Sequence, residues 1–274
     1  MTDVAVEKDL VYATHRGLDL SLDVYRPPQP DAPVVLYVHG GGWRSGDKRD
    51  DAERRLVPVA AAGVVVVAVD YGLVPAARVP DQVHQLKAAV RWLRGNGRHL
   101  GLATTRIAVW GASAGGYLGS LLALTPGVER FEGTVGRHLD QSSAVQAAVH
   151  WFGQSDLVAS GSRTDVEARL LPFAFEAGLL GVGTVSEAHD ARELSLLSWV
   201  SAGAPPFLIA HGDRDHVVLP SEGLALHDAL ARAGVQTRFE LLGGAGHEGP
   251  EFDAPTFLAT TAIWLRATVK GTAT

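Results

Sequence analysis

The sequence predicts an α/β fold in which a mostly parallel central sheet carries helices on both faces. Three observations lead there. Apolar runs at residues 34–38, 64–69, 107–110 and 207–210 show the unbroken hydrophobicity of strands covered on both sides. Stretches with helical spacing separate these runs, and strand–helix alternation of this kind builds parallel sheets. The chain has 274 residues, 46% of them hydrophobic and 20% charged, enough apolar material for a sizeable core and far from a disordered composition.

Taken in order, residues 4–14 and 18–25 read as two strands joined at Arg16-Gly17, because Leu18, Leu20, Leu22 and Val24 alternate with polar residues. They are expected to form an antiparallel edge. The Pro27-Pro28-Gln29-Pro30 stretch ends that pairing, and 34–38 follows as a buried strand. A helix is expected near 51–62, a strand over 64–69 and a helix over 79–100, where Val83, Leu86, Ala89, Val90 and Leu93 share one face. Next come a short strand at 107–110, a helix rich in small residues at 114–124 and a strand at 145–151. Residues 154–204 break this rhythm and read as a small, mainly helical cap insertion. Regular alternation resumes with a strand at 207–210, a helix at 221–233, a strand at 237–242 and a closing helix at 255–269. One domain spanning 1–274 accommodates all of these elements.

Composition excludes several classes of function. The net charge is −6, whereas recognition of a phosphate backbone normally shows as a basic excess, so no nucleic-acid partner is expected. There is no cysteine, which removes thiolate nucleophiles, disulfides and Cys-based zinc sites. The longest nearly apolar run, 56–69, is interrupted by Pro58 and Gly63 and falls short of the roughly 20 residues of a spanning helix, so no membrane association is expected. The polar stretch 1–9 lacks the apolar core of a signal peptide, and the reading is a cytoplasmic protein. A homodimer through the last helix or an edge strand is compatible with the sequence, but no residue pattern singles it out.

The 31 glycines follow no period, but several concentrate at chemically suggestive places. Gly111-Ala112-Ser113-Ala114-Gly115-Gly116 lies between an apolar strand and an Ala/Gly/Leu helix. A G-x-S-x-G turn in that context holds the serine in a strained, exposed conformation, and larger side chains two positions away would collide. A serine hydroxyl needs a base, and the base needs a carboxylate to orient it. His247 lies in the glycine-rich loop 243–249, after the last strand and before the last helix. Asp213 and Asp215 compete for the acid, in the loop after the strand at 207–210. Asp215 is the assignment, since Asp213 stands close enough to the strand end to cap the turn.

His39-Gly40-Gly41-Gly42-Trp43 follows the first buried strand, where bare glycines let backbone amides approach a substrate. The amides of Gly41, Gly42 and Ala114 are therefore the candidate oxyanion donors. His39 reads as a structural residue. Trp43, Phe173, Phe175 and Trp199, with Leu170, Leu171, Leu179 and Leu180, are candidates to line an apolar substrate pocket, although packing the cap onto the body is their more ordinary use. Arg163 and Arg169 are candidates to receive a carboxylate, against the ordinary reading of solvated charge.

Jointly these residues resemble the α/β-hydrolase superfamily, and within it the small esterases of the hormone-sensitive-lipase-like and feruloyl-esterase-like groups. The likeness rests on His39 to Trp43, Asp70-Tyr71, Val90-Arg91-Trp92-Leu93, the stretch 106–116, Leu179-Leu180-Gly181, Pro205-Pro206-Phe207-Leu208-Ile209 and the Asp215 and His247 loops. It implies a Ser113–His247–Asp215 triad that hydrolyses a small-molecule carboxylic ester through an acyl-enzyme, with no metal and no organic cofactor. Activity would rise with pH as the histidine base loses its proton. Amide or formamide hydrolysis, or acyl transfer or cyclisation in biosynthesis, would use the same triad, and a non-catalytic binding protein is a more distant alternative. Three departures stand out. Gly72 replaces the arginine common after Asp-Tyr, Leu219 separates Val218 from Pro220, and Ser195-Leu196 stands where Ser-Pro is frequent.

Overall fold

The computed structural model describes residues 4–161 and 175–270. Eight strands form one sheet: β1 (Ala5–His15), β2 (Leu18–Arg26), β3 (Pro33–Val38), β4 (Val65–Val69), β5 (Ala103–Ala112), β6 (Ala147–Trp151), β7 (Phe207–Gly212) and β8 (Thr237–Leu242). Their spatial order is β1-β2-β4-β3-β5-β6-β7-β8. Only the β1–β2 and β2–β4 pairings are antiparallel. The helices are α1 (Val57–Ala61), α2 (Asp81–Leu100), α3 (Ala114–Leu124), α4 (Glu129–Glu132), α5 (Leu157–Gly161), α6 (Phe175–Leu180), α7 (Ala191–Leu194), α8 (Pro220–Arg232) and α9 (Pro255–Lys270). This is the α/β-hydrolase architecture.

The period of two along β3 explains why both faces must be covered. Val34, Leu36 and Val38 join one core with α2 and α3 residues such as Leu86, Leu118 and Leu122, while Val35 and Tyr37 join a second core with Leu56, Leu258 and Leu265. All six β3 residues are buried.

Several boundaries differ from expectation. β5 extends back to Ala103, which pairs with Pro33 at the start of β3, and its first residues are largely exposed and carry no apolar pattern. Residues 51–62 do not form one helix: a wide turn over Ala52–Leu56, in which Leu56 N–H reaches back to Asp51 O at 3.2 Å, precedes the short α1. The helix expected from residue 79 begins at Asp81, with Pro80 as its cap. Between β6 and β7 the described chain forms only the short helices α5, α6 and α7 and tight turns. Among the described residues no helix is long and apolar enough to cross a membrane.

The parallel strands all end at one edge of the sheet, and the glycine loop (40–42), Ser113, Asp215 and His247 follow the ends of β3, β5, β7 and β8 respectively. Residues more than 200 positions apart in the chain thus come to one crevice outside the carboxyl ends of the strands.

Candidate active site

The turn between β5 and α3 is shaped by exclusion. A Cβ on Gly111 would lie 2.0 Å from Gly115 O, and one on Gly115 would lie 2.0 Å from Val38 O. Only hydrogen fits at these two positions, so the turn closes tightly enough to lift Ser113 to φ 52° and ψ −120°. Ser113 N–H is held by Trp151 O at 2.9 Å, which fixes the turn to β6. Three further non-glycine residues with positive φ surround it: Trp43 (61°), Phe152 (37°) and Glu248 (54°). Such strain persists where surrounding packing enforces it, and it gathers at functional sites.

Ser113 Oγ lies 2.9 Å from His247 Nε2, and His247 Nδ1 lies 2.7 Å from Asp215 Oδ2. An ionised carboxylate can only accept, so Nδ1 carries the proton and Nε2 presents a lone pair to the serine hydroxyl. Asp215 Oδ1 accepts the amides of Val217 and Val218 at 2.9 and 3.0 Å. Burial opposes ionisation of Asp215, but hydrogen bonds from His211 and His247 outweigh it and hold the carboxyl well below its usual range. Asp213 instead takes Gly244 N–H at 2.6 Å and ties its loop to the turn after β8. The edge of the Phe152 ring covers His247, with centroids 5.1 Å apart.

The glycine loop curls around its own carbonyl: Gly41 O accepts the amides of Arg44 and Ser45, both at 3.1 Å. Gly41 and Gly42 have φ of 104° and 58°. A Cβ on Gly41 would meet Ser45 O at 2.1 Å, and one on Gly42 would meet the Phe175 ring at 2.6 Å. The amides of Gly41, Gly42 and Ala114 donate to no described residue. Trp43 Nε1 donates to Ala114 O at 3.1 Å, linking the glycine loop directly to the residue after Ser113. His39 stacks on Tyr71 at 4.4 Å, and the Tyr71 hydroxyl donates to His39 O at 3.1 Å. Burial pushes the His39 imidazole below its ordinary value, in keeping with a neutral, structural ring.

Residues 22–230 match the family model described as BD-FAE. The chain belongs to the BD-FAE family. It is similar to the esterase LipC of Mycobacterium tuberculosis, with 32% identity over 82% of this chain and 56% of that protein, and to an ethyl acetate hydrolase of Pseudomonas putida, with 31% identity over 88% and 74%. A solved carbohydrate esterase from gut microbiota, in a truncated form, superposes with a TM-score of 0.87 at 25% identity over 97% of both chains. The chain spans only 62%, 56% and 52% of the length of three mycobacterial relatives.

In this BD-FAE chain the pocket residues expected from sequence separate into distinct groups. Phe175 sits over Gly42, in the glycine loop. Trp43 is fully buried: its ring braces the loop from within, edge-on to Tyr117 at 5.6 Å, and presents no face to a pocket. Trp199 packs edge-on against Phe131 and donates Nε1 to Glu193 O at 2.6 Å. It lines a surface hollow with Leu124 and Pro126, at the far end of α3 from Ser113 and about 15 Å along the helix, so it is not a pocket residue of this site. Leu179 is buried in the main core and Leu180 packs against it. Phe173, Leu170, Leu171, Arg163 and Arg169 lie outside the described residues.

Gly72 also acquires a reason. A Cβ there would stand 2.7 Å from Ala77 Cβ, and its N–H and C=O are taken by Gln85 at 2.7 Å and Gln82 at 2.9 Å, so the backbone is clamped where a side chain is common. Sequence reasoning missed His211, which reaches Asp215, and the neighbouring positions of Phe152 and Glu248. The four-residue spacing from His211 to Asp215 was a usable signal; the others become neighbours only through the fold. Among the described residues no group of three His, Asp or Glu side chains is arranged to hold a metal ion.

Proposed function

We propose that the protein is a serine hydrolase that cleaves small carboxylic esters through an acyl-enzyme. Ser113 Oγ attacks the ester carbonyl carbon as its proton passes to His247 Nε2. The carbonyl oxygen becomes an oxyanion held by the amides of Gly41, Gly42 and Ala114. The imidazolium, oriented by Asp215, returns the proton to the departing alkoxide, leaving the acyl group on Ser113. Water then attacks this acyl-enzyme, giving its proton to His247, and the collapse of the second tetrahedral intermediate frees the carboxylic acid and restores the serine.

The observation that carries the reading is the continuous hydrogen-bond chain from Ser113 through His247 to Asp215 at 2.9 and 2.7 Å. The amides of Gly41, Gly42 and Ala114, unclaimed by other described groups, support the oxyanion role. The esterase names of its relatives support the choice of ester over other acyl substrates.

The test is a panel of aryl esters from acetate to octanoate, together with labelling by a serine-directed phosphonate. Turnover and one-to-one labelling are expected for the wild type, with loss of both in Ser113→Ala. A Ser113→Ala protein that still turns over ester, or a wild type that the phosphonate leaves unmodified, would falsify the mechanism. Release of an acylated amine or alcohol faster than free acid, when both acceptors are supplied, would move the reading to acyl transfer.

A further inference from the structure

Next to the proposed base stands a carboxylate with no role in the triad. Glu248 follows His247 directly and is held at φ 54°, a conformation that L side chains rarely adopt. A Cβ built on Gly40 meets Ser113 Cβ and Glu248 Oε1, each at 3.4 Å. Those two distances place the Glu248 carboxylate no more than about 7 Å from Ser113 Cβ, across the first glycine of the proposed oxyanion loop. The side chain is exposed, and it makes no hydrogen bond or ion pair with any described residue. A structural carboxylate would normally be spent on a cation or an amide, as Asp213, Asp215 and Glu222 are here. No described residue compensates the Glu248 carboxylate beside the glycine loop.

We propose that Glu248 sets the charge specificity of the site, favouring esters that are neutral or carry an ammonium group on the acyl chain and disfavouring those that carry a second carboxylate. The inference rests on the ester-hydrolase reading. Its physical basis is Coulombic: an anion bound within several ångströms of a fixed like charge is repelled, a cation is attracted, and the effect fades when salt shortens the screening length from about 10 Å to about 3 Å. The charges of the chemical step are the same for esters of all three charge types, so the contribution of Glu248 to that step cancels in the ratio between substrates.

The test uses three phenyl esters with four-carbon acyl chains: butyrate, hemisuccinate and 4-(trimethylammonio)butyrate. In the wild type at low salt, kcat/KM should fall in the order ammonium, butyrate, hemisuccinate. Glu248→Gln should raise the hemisuccinate-to-butyrate ratio by about 3- to 10-fold and lower the ammonium-to-butyrate ratio by a similar factor, with kcat on butyrate within about threefold. Glu248→Lys should reverse the order, and 1 M salt should bring the wild-type ratios toward those of Glu248→Gln. Butyrate turnover with ratios that neither variant nor salt changes overturns the charge assignment and leaves the esterase reading standing. No turnover of any of the three esters removes that reading and this inference with it.

Discussion

His211 Nε2 stands 3.3 Å from Asp215 Oδ2, the same oxygen that His247 Nδ1 approaches at 2.7 Å. His211 Nε2 is also 2.9 Å from Val218 O, and since a carbonyl cannot donate, the proton sits on Nε2 and is shared between the two acceptors. Nδ1 of His211 is buried and has no partner among the described residues. His211 is therefore a second donor to the Asp215 carboxylate, beside His247 on the same oxygen. Replacing His211 with Leu should lower kcat/KM by about 10-fold, the low end for a hydrogen bond to a charged group because the bond is shared. His211→Gln, which can still donate, should recover part of the loss. Wild-type kinetics in the Leu variant would show that Val217 and Val218 suffice to hold Asp215.

Gly42→Ala should reduce kcat by about 100-fold with little change in KM, the signature of a lost oxyanion donor. The new methyl would meet the Phe175 ring at 2.6 Å, in a backbone conformation with φ 58° that alanine resists. Pairing it with Phe175→Ala relieves the clash but not the backbone strain, so recovery should be partial. Complete recovery would mean that crowding alone, and not amide placement, limits the variant.

The fully buried position of Trp43 and the half-buried position of Phe175 over Gly42 predict different phenotypes. Trp43→Phe removes the hydrogen bond to Ala114 O and leaves a gap in the core, and it should cost about 1–3 kcal/mol in urea unfolding while the preference among acyl lengths stays as it was. Phe175→Ala should shift that preference toward longer chains with smaller loss of stability. The opposite pattern would return Trp43 to the pocket.

Acid should destabilise the fold in two separable windows. Burial lowers the His150 imidazole from 6.5 to about 4 through desolvation, so the unfolded chain binds a proton that the folded one refuses. The associated stability is present above pH 6.5 and disappears as pH falls toward 4, to a total of about 3 kcal/mol. His39, also lowered by burial, adds in the same sense. Asp215, held below its usual range, contributes stability present above about pH 4 and lost only at stronger acidity. Unfolding free energies of the wild type and His150→Gln at pH 7 and pH 5 check the first window. The variant should lose less stability on acidification, and equal slopes would rule out His150 as the proton site. Its Ser120 Oγ contact at 2.8 Å and Gly153 O contact at 3.0 Å make a lower absolute stability expected in any case.

Much of this protein was legible in the chain itself. Strands covered on both faces are uniformly apolar, so β3, β4 and β7 announce themselves, and a turn that excludes every side chain writes itself as Gly111, Gly115 and Gly116. The order of Ser113, Asp215 and His247, each in a loop after a strand, could be read for the same reason, because loop position follows from element order. The sequence favoured Asp215 over Asp213 on a capping argument, but both lie in one loop and only three-dimensional position says which oxygen reaches His247. Tertiary structure also separated the aromatic residues: Trp43, Phe175 and Trp199 look alike as apolar side chains, yet one braces the core, one covers Gly42 and one packs at the far end of α3. The place of Glu248 beside the glycine loop became visible only there. A charge or a hydrogen bond acts across space, and nothing in local periodicity encodes which distant loop will lie a few ångströms away.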